Sequence, residues 1–82
     1  MGPPPGEGPR RLVKRSFSLA GHRTSVALEA EFWSALTDIA GSRNQTLSAL
    51  IAEADATRDP SRSLASALRV LALKEYRRGV NR

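Results

Sequence analysis

Residues 23–29 read Arg-Thr-Ser-Val-Ala-Leu-Glu, and an apolar helical pattern follows directly behind them. Thr24, Val26 and Leu28 alternate with Arg23, Ser25 and Ala27. A period of two gives a strand one apolar face and one small, polar face. A strand this short finds no convincing partner in a chain of 82 residues, so the pattern predicts pairing with a second copy. Two antiparallel copies would form a ribbon with a basic, small-residue outer face, a shape that fits a DNA major groove.

Composition supports the need for a partner. Apolar residues make up 40% of the chain, yet the aromatics are only two Phe, one Trp and one Tyr. Leu and Ala must therefore supply most of the core, which suits thin, closely packed helices. Domains this small commonly draw on a disulfide, a metal or another chain. There is no Cys and a single His, which removes disulfides, Cys-based metal sites and His clusters. Oligomerisation remains. Residues 1–9 carry Pro and Gly where an export signal carries an apolar run. No run approaches the roughly 18 apolar residues that a spanning helix needs. The expectation is a bacterial cytoplasmic protein with no membrane contact.

The formal net charge is +5, unevenly spread. Residues 1–23 carry +4, residues 24–60 carry −4 and residues 61–82 carry +5. Basic ends around an acidic middle point to a polyanion partner, nucleic acid first and an anionic surface second.

Along the chain, residues 1–12 read as a disordered Pro/Gly-rich and basic arm, residues 13–78 as the domain and residues 79–82 as a basic tail. Phe17 and Leu19 alternate with Ser16, Ser18 and Ala20 ahead of Gly21. This segment is either the first half of a hairpin turned at residues 20–22 or an arm leading into the ribbon. The lack of an Asn-Gly or Asp-Gly pair favours the arm. A first helix is predicted over residues 30–42, with Phe32, Leu36, Ile39 and Ala40 as its stripe and Trp33 beside it. A second is predicted over residues 47–57, capped by Thr46 or Asn44 and stopped ahead of Pro60. A third, over residues 63–78, is capped by Ser61 or Ser63 and ended by Gly79. Leu64, Ala67, Leu68, Leu71 and Ala72 form its face, and Val70, Leu73 and Tyr76 widen it. A helix apolar nearly all round is buried on more than one side, which again predicts a second chain.

No catalytic constellation emerges. His22 and Ser25 are three apart on a strand and point to opposite faces. Glu53, Asp55 and Asp59 match no metal-ligand spacing, and the glycines of residues 2–8 precede no helix. The expectation is a non-enzyme without metal or cofactor.

Three segments resemble the ribbon-helix-helix family of bacterial regulators, the Arc/MetJ type. They are the strand of residues 23–29, the helix Glu31-Phe32-Trp33-Ser34-Ala35-Leu36-Thr37-Asp38-Ile39-Ala40, and the turn into Asn44-Gln45-Thr46-Leu47-Ser48-Ala49-Leu50-Ile51. The resemblance implies a mainly α fold with one β-strand. It implies an intertwined homodimer in which each chain gives one strand to a two-stranded antiparallel ribbon. It also implies that outward strand residues read base edges, which here are Arg23, Ser25 and Ala27. The family clamps a phosphate at the start of its second helix, which falls on Thr46, Leu47 and Ser48; plain helix capping is the competing role for Thr46 and Ser48. Asn44 stands where the family often carries Gly, and Asn tolerates the same left-handed backbone. Pro60 cuts what is one helix in a minimal member, and an extra C-terminal helix follows. Residues 63–76 themselves resemble a family second helix, which leaves open which helix lies under the ribbon.

Two functions follow as expectations. The first is a transcriptional regulator, a repressor of double-stranded DNA targets, with Arg10, Arg11, Lys14 and Arg15 tracking phosphates beside the groove. Arg77, Arg78 and Arg82 are further backbone contacts in this reading. The second is an antitoxin-like or adaptor module on the same dimer scaffold, with a protein partner.

Overall fold

The computed structural model describes residues 11–80. Strand β1 (Val13–Leu19) and strand β2 (His22–Leu28) form an antiparallel hairpin, and α1 (Ala30–Ser42), α2 (Leu47–Thr57) and α3 (Leu64–Val80) follow. The fold thus has two strands where one was expected. The strand of residues 23–28 finds its partner in its own chain, and residues 13–19 are a strand of the ribbon rather than an arm leading into it.

The reason lies in the turn and in the core beneath it. Ala20 and Gly21 have φ of 51° and 83°, both left-handed. That pair is a two-residue turn whose twist matches the strands it joins. Gly21 adopts it freely, while Ala20 tolerates it at a cost that packing offsets. The register pairs Val13 with Leu28, Phe17 with Thr24 and Leu19 with His22. Phe17, Leu19, Val26 and Leu28 are thereby gathered on one face and buried.

All three helices start where the pattern placed them, within one residue. Leu36, Ile39 and Ala40 bury as the α1 stripe, but Trp33 joins them and Phe32 stays half-buried at the margin. Trp33 reaches the ribbon: its ring centroid lies 5.8 Å from that of Phe17, and its Nε1–H donates to the Val13 carbonyl at 2.7 Å. Helix α1 closes with Asn44 left-handed at φ 56°. The Gln45 N–H reaches the Ala40 carbonyl at 2.8 Å and the Asn44 N–H the Gly41 carbonyl at 3.1 Å. Both bonds satisfy carbonyls that a helix end otherwise leaves open.

Thr46 caps α2, its Oγ1 accepting from the Ala49 N–H at 3.0 Å. Beyond α2, Arg58 is already extended (ψ 151°). The Asp59 carboxylate accepts from both the N–H and the O–H of Ser61, at 2.9 and 2.8 Å. Those bonds, the backbone one first, hold its carboxyl below the ordinary range. Ser63 then caps α3 by accepting from the Ser66 N–H at 3.1 Å. Gly79 does not end α3, which runs on through residue 80, so the expected tail begins inside a helix.

Helix α2 packs against β1 and α3 against β2, so both lie under the ribbon. Leu28, Leu36, Leu50, Ile51 and Leu68 are fully buried at the centre of this layer. Helix α3 buries one face only, through Leu64, Leu68 and Ala72, while Leu73 and Tyr76 remain 53% and 70% exposed. Burial on more than one side, as its composition predicted, does not occur within the chain.

Candidate nucleic-acid interface

Cross-strand partners in a sheet share a face. The face opposite the core therefore carries Lys14 beside Ala27, Ser16 beside Ser25, and Ser18 beside Arg23. All but Ala27, which is half-buried, are exposed. The hydroxyls of Ser16 and Ser25 meet at 3.0 Å across the middle of the ribbon. Near the turn, Arg23 Nη1 donates to Ser18 Oγ at 3.4 Å, a long bond that leaves most of its fork unengaged. Lys14 has no partner among the described residues.

The electrostatics of this face are one-sided. From residue 11 to residue 28 the chain carries Arg11, Lys14, Arg15 and Arg23 and no carboxylate. The acid that follows this stretch, Glu29, accepts from Arg69 of α3 at 2.9 Å. Elsewhere, several cations are tied to acids. Arg43 and Arg78 both bond Glu75 at 3.0 Å, and Arg58 bonds Asp55 at 3.0 Å. The C-terminal positive charge is thus partly neutralised within the fold, whereas that of the ribbon is not.

The remaining candidate residues divide. Arg23, Ser25 and Ala27 do share the outer face. Lys14 joins them there, instead of lying on an arm beside the groove. Arg15 sits at an inward-facing strand position, and its guanidinium lies 5.5 Å from the centre of the Trp33 ring, a cation–π contact. Arg11 is exposed just ahead of β1, while Arg10 and Arg82 lie outside the described residues. Thr46 performs the capping role, Ser48 is exposed beside it and Leu47 is half-buried against the core. The N–H groups of Leu47 and Ser48 precede the helical ladder, whose bond from Leu50 reaches the Thr46 carbonyl. Arg77 stays exposed near the end of α3.

Two residues of the face, Ser16 and Ser18, were not singled out by the alternation of residues 23–29. A signal existed: Lys14-Arg15-Ser16-Phe17-Ser18-Leu19 repeats nine residues later as Arg23-Thr24-Ser25-Val26-Ala27-Leu28. Among the described residues there is no group of three or more His, Cys, Asp or Glu that could hold a metal. No helix there is long and apolar enough to cross a membrane.

A family model described as the ribbon-helix-helix domain matches residues 12–76, which cover both strands, α1, α2 and most of α3. The chain belongs to the ribbon-helix-helix family. Comparison with curated proteins and with solved structures gave no match. The match takes in Leu64, Leu68 and Ala72, so the third helix is part of this ribbon-helix-helix unit rather than an appendage. Family membership suggests a DNA-binding regulator, and the acid-free ribbon face supplies donors suited to one. An Arg fork can bond guanine O6 and N7 together, an ammonium can reach the same acceptors, and serine hydroxyls can donate or accept.

Proposed function

We propose that this ribbon-helix-helix protein is a sequence-specific transcriptional repressor that inserts its ribbon into the major groove and blocks an operator. The observation that carries this reading is the outer ribbon face: Lys14, Arg23 and three serines with no carboxylate among them. Arg23, Ser25 and Ala27 read base edges. Arg10, Arg11 and Arg15 contact phosphates, and the free N–H groups of Leu47 and Ser48, with the Thr46 hydroxyl, receive another. The protein acts as a homodimer in the cytoplasm. Leu73 and Tyr76 on α3 offer an apolar patch that a second copy would cover. The same patch is the observation that favours the adaptor reading, in which a different protein covers it.

Gel shifts over a salt series test the proposal. Arg23→Ala should lose discrimination between operator and competitor by roughly ten-fold or more, the scale of one bidentate base contact. Arg10→Ala combined with Arg11→Ala should weaken binding to every duplex alike and make log K less steep against log salt by about two units. Unchanged discrimination in Arg23→Ala overturns the ribbon as reader.

A further inference from the structure

Helices α2 and α3 do not close completely on each other. A groove of about 370 Å³ lies between them, a volume within the range of small-molecule sites. Leu50 is buried at its base, and Ala54, Ala67, Val70 and Leu71 are half-buried along it. Ala67, Val70, Leu71 and Lys74 fall at i, i+3, i+4 and i+7, one stripe of α3 that ends in a cation. The two alanines leave space that longer side chains would fill. Four cations stand on the walls, Arg43, Arg58, Arg62 and Lys74, against two acids, Glu53 and Asp59. Both acids are engaged. Glu53 accepts from Gln45 Nε2 at 3.4 Å and has Arg43 at 3.8 Å, and Asp59 accepts from Ser61. Among the cations, Arg43 is held by Glu75 and Arg58 by Asp55. Arg62 makes one long side-chain bond, to Ser66 Oγ at 3.4 Å. Lys74 is exposed and has no partner among the described residues.

We infer that this groove binds a small organic carboxylate with an apolar body, its acid head on the Lys74 ammonium and its body over Ala54, Ala67, Val70 and Leu71. A half-exposed apolar floor gains by being covered. At its end, the ammonium offers three donors that no acid of the fold has taken, and a carboxylate is the acceptor that makes the stronger, charge-assisted bond. A neutral apolar molecule forgoes that bond. An organic cation meets walls whose net charge is of its own sign, since the two acids are already shared. The exposed patch of Leu73 and Tyr76 does not line the groove, so a second copy seated on that patch leaves it open. None of Lys14, Ser16, Ser18, Arg23 and Ser25 lines it either. The site is therefore separate from the ribbon face and stands or falls independently of the DNA-binding reading.

Titration of the full chain with octanoate, octanol and octylammonium, each below its micellar concentration, tests this by calorimetry and amide chemical shifts. Octanoate should saturate at one molecule per chain, with shifts concentrated in residues 50–58 and 67–74. Octanol should bind about ten-fold more weakly, the scale of one charge-assisted bond, and octylammonium more weakly than octanol. Lys74→Gln, an exposed substitution, should bring octanoate down to the level of octanol and leave octanol unchanged. Ala67→Leu should fill the groove and abolish binding of all three. Thermal melting checks that each variant keeps its fold, and Ala54→Leu fills the groove from the opposite wall if Ala67→Leu disturbs it. Equal binding of octanoate and octanol, or octanoate binding unchanged in Lys74→Gln, overturns the inference. So does tightest binding of octylammonium, which would make the groove a cation site. Shifts centred on Leu73 and Tyr76 would put the molecule on the outer patch, and the absence of saturable binding would leave the groove without this ligand; either overturns it. If the same amides move when the ligand-free chain is diluted, a second copy fills the groove, and the inference is likewise overturned.

Discussion

Ala20 is the residue at which local and global preferences disagree. Its φ of 51° is left-handed, where an L side chain costs about 1 kcal/mol or more. Its side chain is exposed, so the cost is one of backbone alone. Asn adopts the same conformation more readily and, followed by Gly, is the favoured pair for this turn. Ala20→Asn should therefore stabilise the domain by about 0.5–1 kcal/mol, or raise Tm by a few degrees for a domain of this size. Calorimetry on matched samples checks this, and a lowered Tm would contradict the turn geometry. The neighbouring Gly21 cannot be improved in this way, since at φ 83° any side chain is strained. This residue also explains why the hairpin was hard to read. The turn lacks the Asn-Gly or Asp-Gly pair that announces such a loop, yet Gly21 alone supplies enough freedom to close it.

Trp33 is the hinge pin between elements. One side chain gives a hydrogen bond to the Val13 carbonyl, a ring contact to Phe17 and a platform for Arg15. It ties the open end of β1 to α1, and so fixes the end of the ribbon that carries Lys14. Trp33→Phe keeps an aromatic ring but removes the N–H donor, a loss of about 1 kcal/mol for one such bond. Amide exchange should speed up several-fold in β1 near Val13, with little change in α2. A uniform increase across all elements would mean that Trp33 holds the whole core and not this junction. The helical stripe, read by period alone, placed Phe32 inward and Trp33 beside it. Periodicity fixes a face to within a residue, and it took the approach of the ribbon to select the larger ring.

For the whole molecule, the completed hairpin changes the argument for a second chain. A lone strand no longer demands one, because β1 satisfies β2. What remains is the exposed pair Leu73 and Tyr76 on α3, with Leu64, Leu68 and Ala72 already committed to the interior. If that patch joins two copies, sedimentation at tens of micromolar should give a two-chain species for the wild type. Leu73→Lys with Tyr76→Lys should then give a single folded chain with an unchanged circular dichroism spectrum. A wild type that sediments as one chain would remove the homodimer from the proposed function without touching the ribbon.

The sequence by itself determined the helices and the outer face of β2, and narrowed the caps of α2 and α3 to two residues each, because each depends on neighbours within a few residues. Thr46 and Ser63 cap where their hydroxyls reach the third residue onward, and Asn44 ends α1 because it tolerates a left-handed backbone. Arg23, Ser25 and Ala27 fall on one side because a strand alternates. Which strand would pair with β2 was a different kind of question. Residues 13–19 and a second copy of residues 23–28 carry nearly the same alternation, so local pattern could not choose between them. Tertiary structure chose, by burying Phe17 and Leu19 beside Val26 and Leu28 over α2 and α3, an apolar gain that outweighs the strain at Ala20. The same choice moved Lys14, Ser16 and Ser18 onto the face that residues 23–29 had seemed to hold alone.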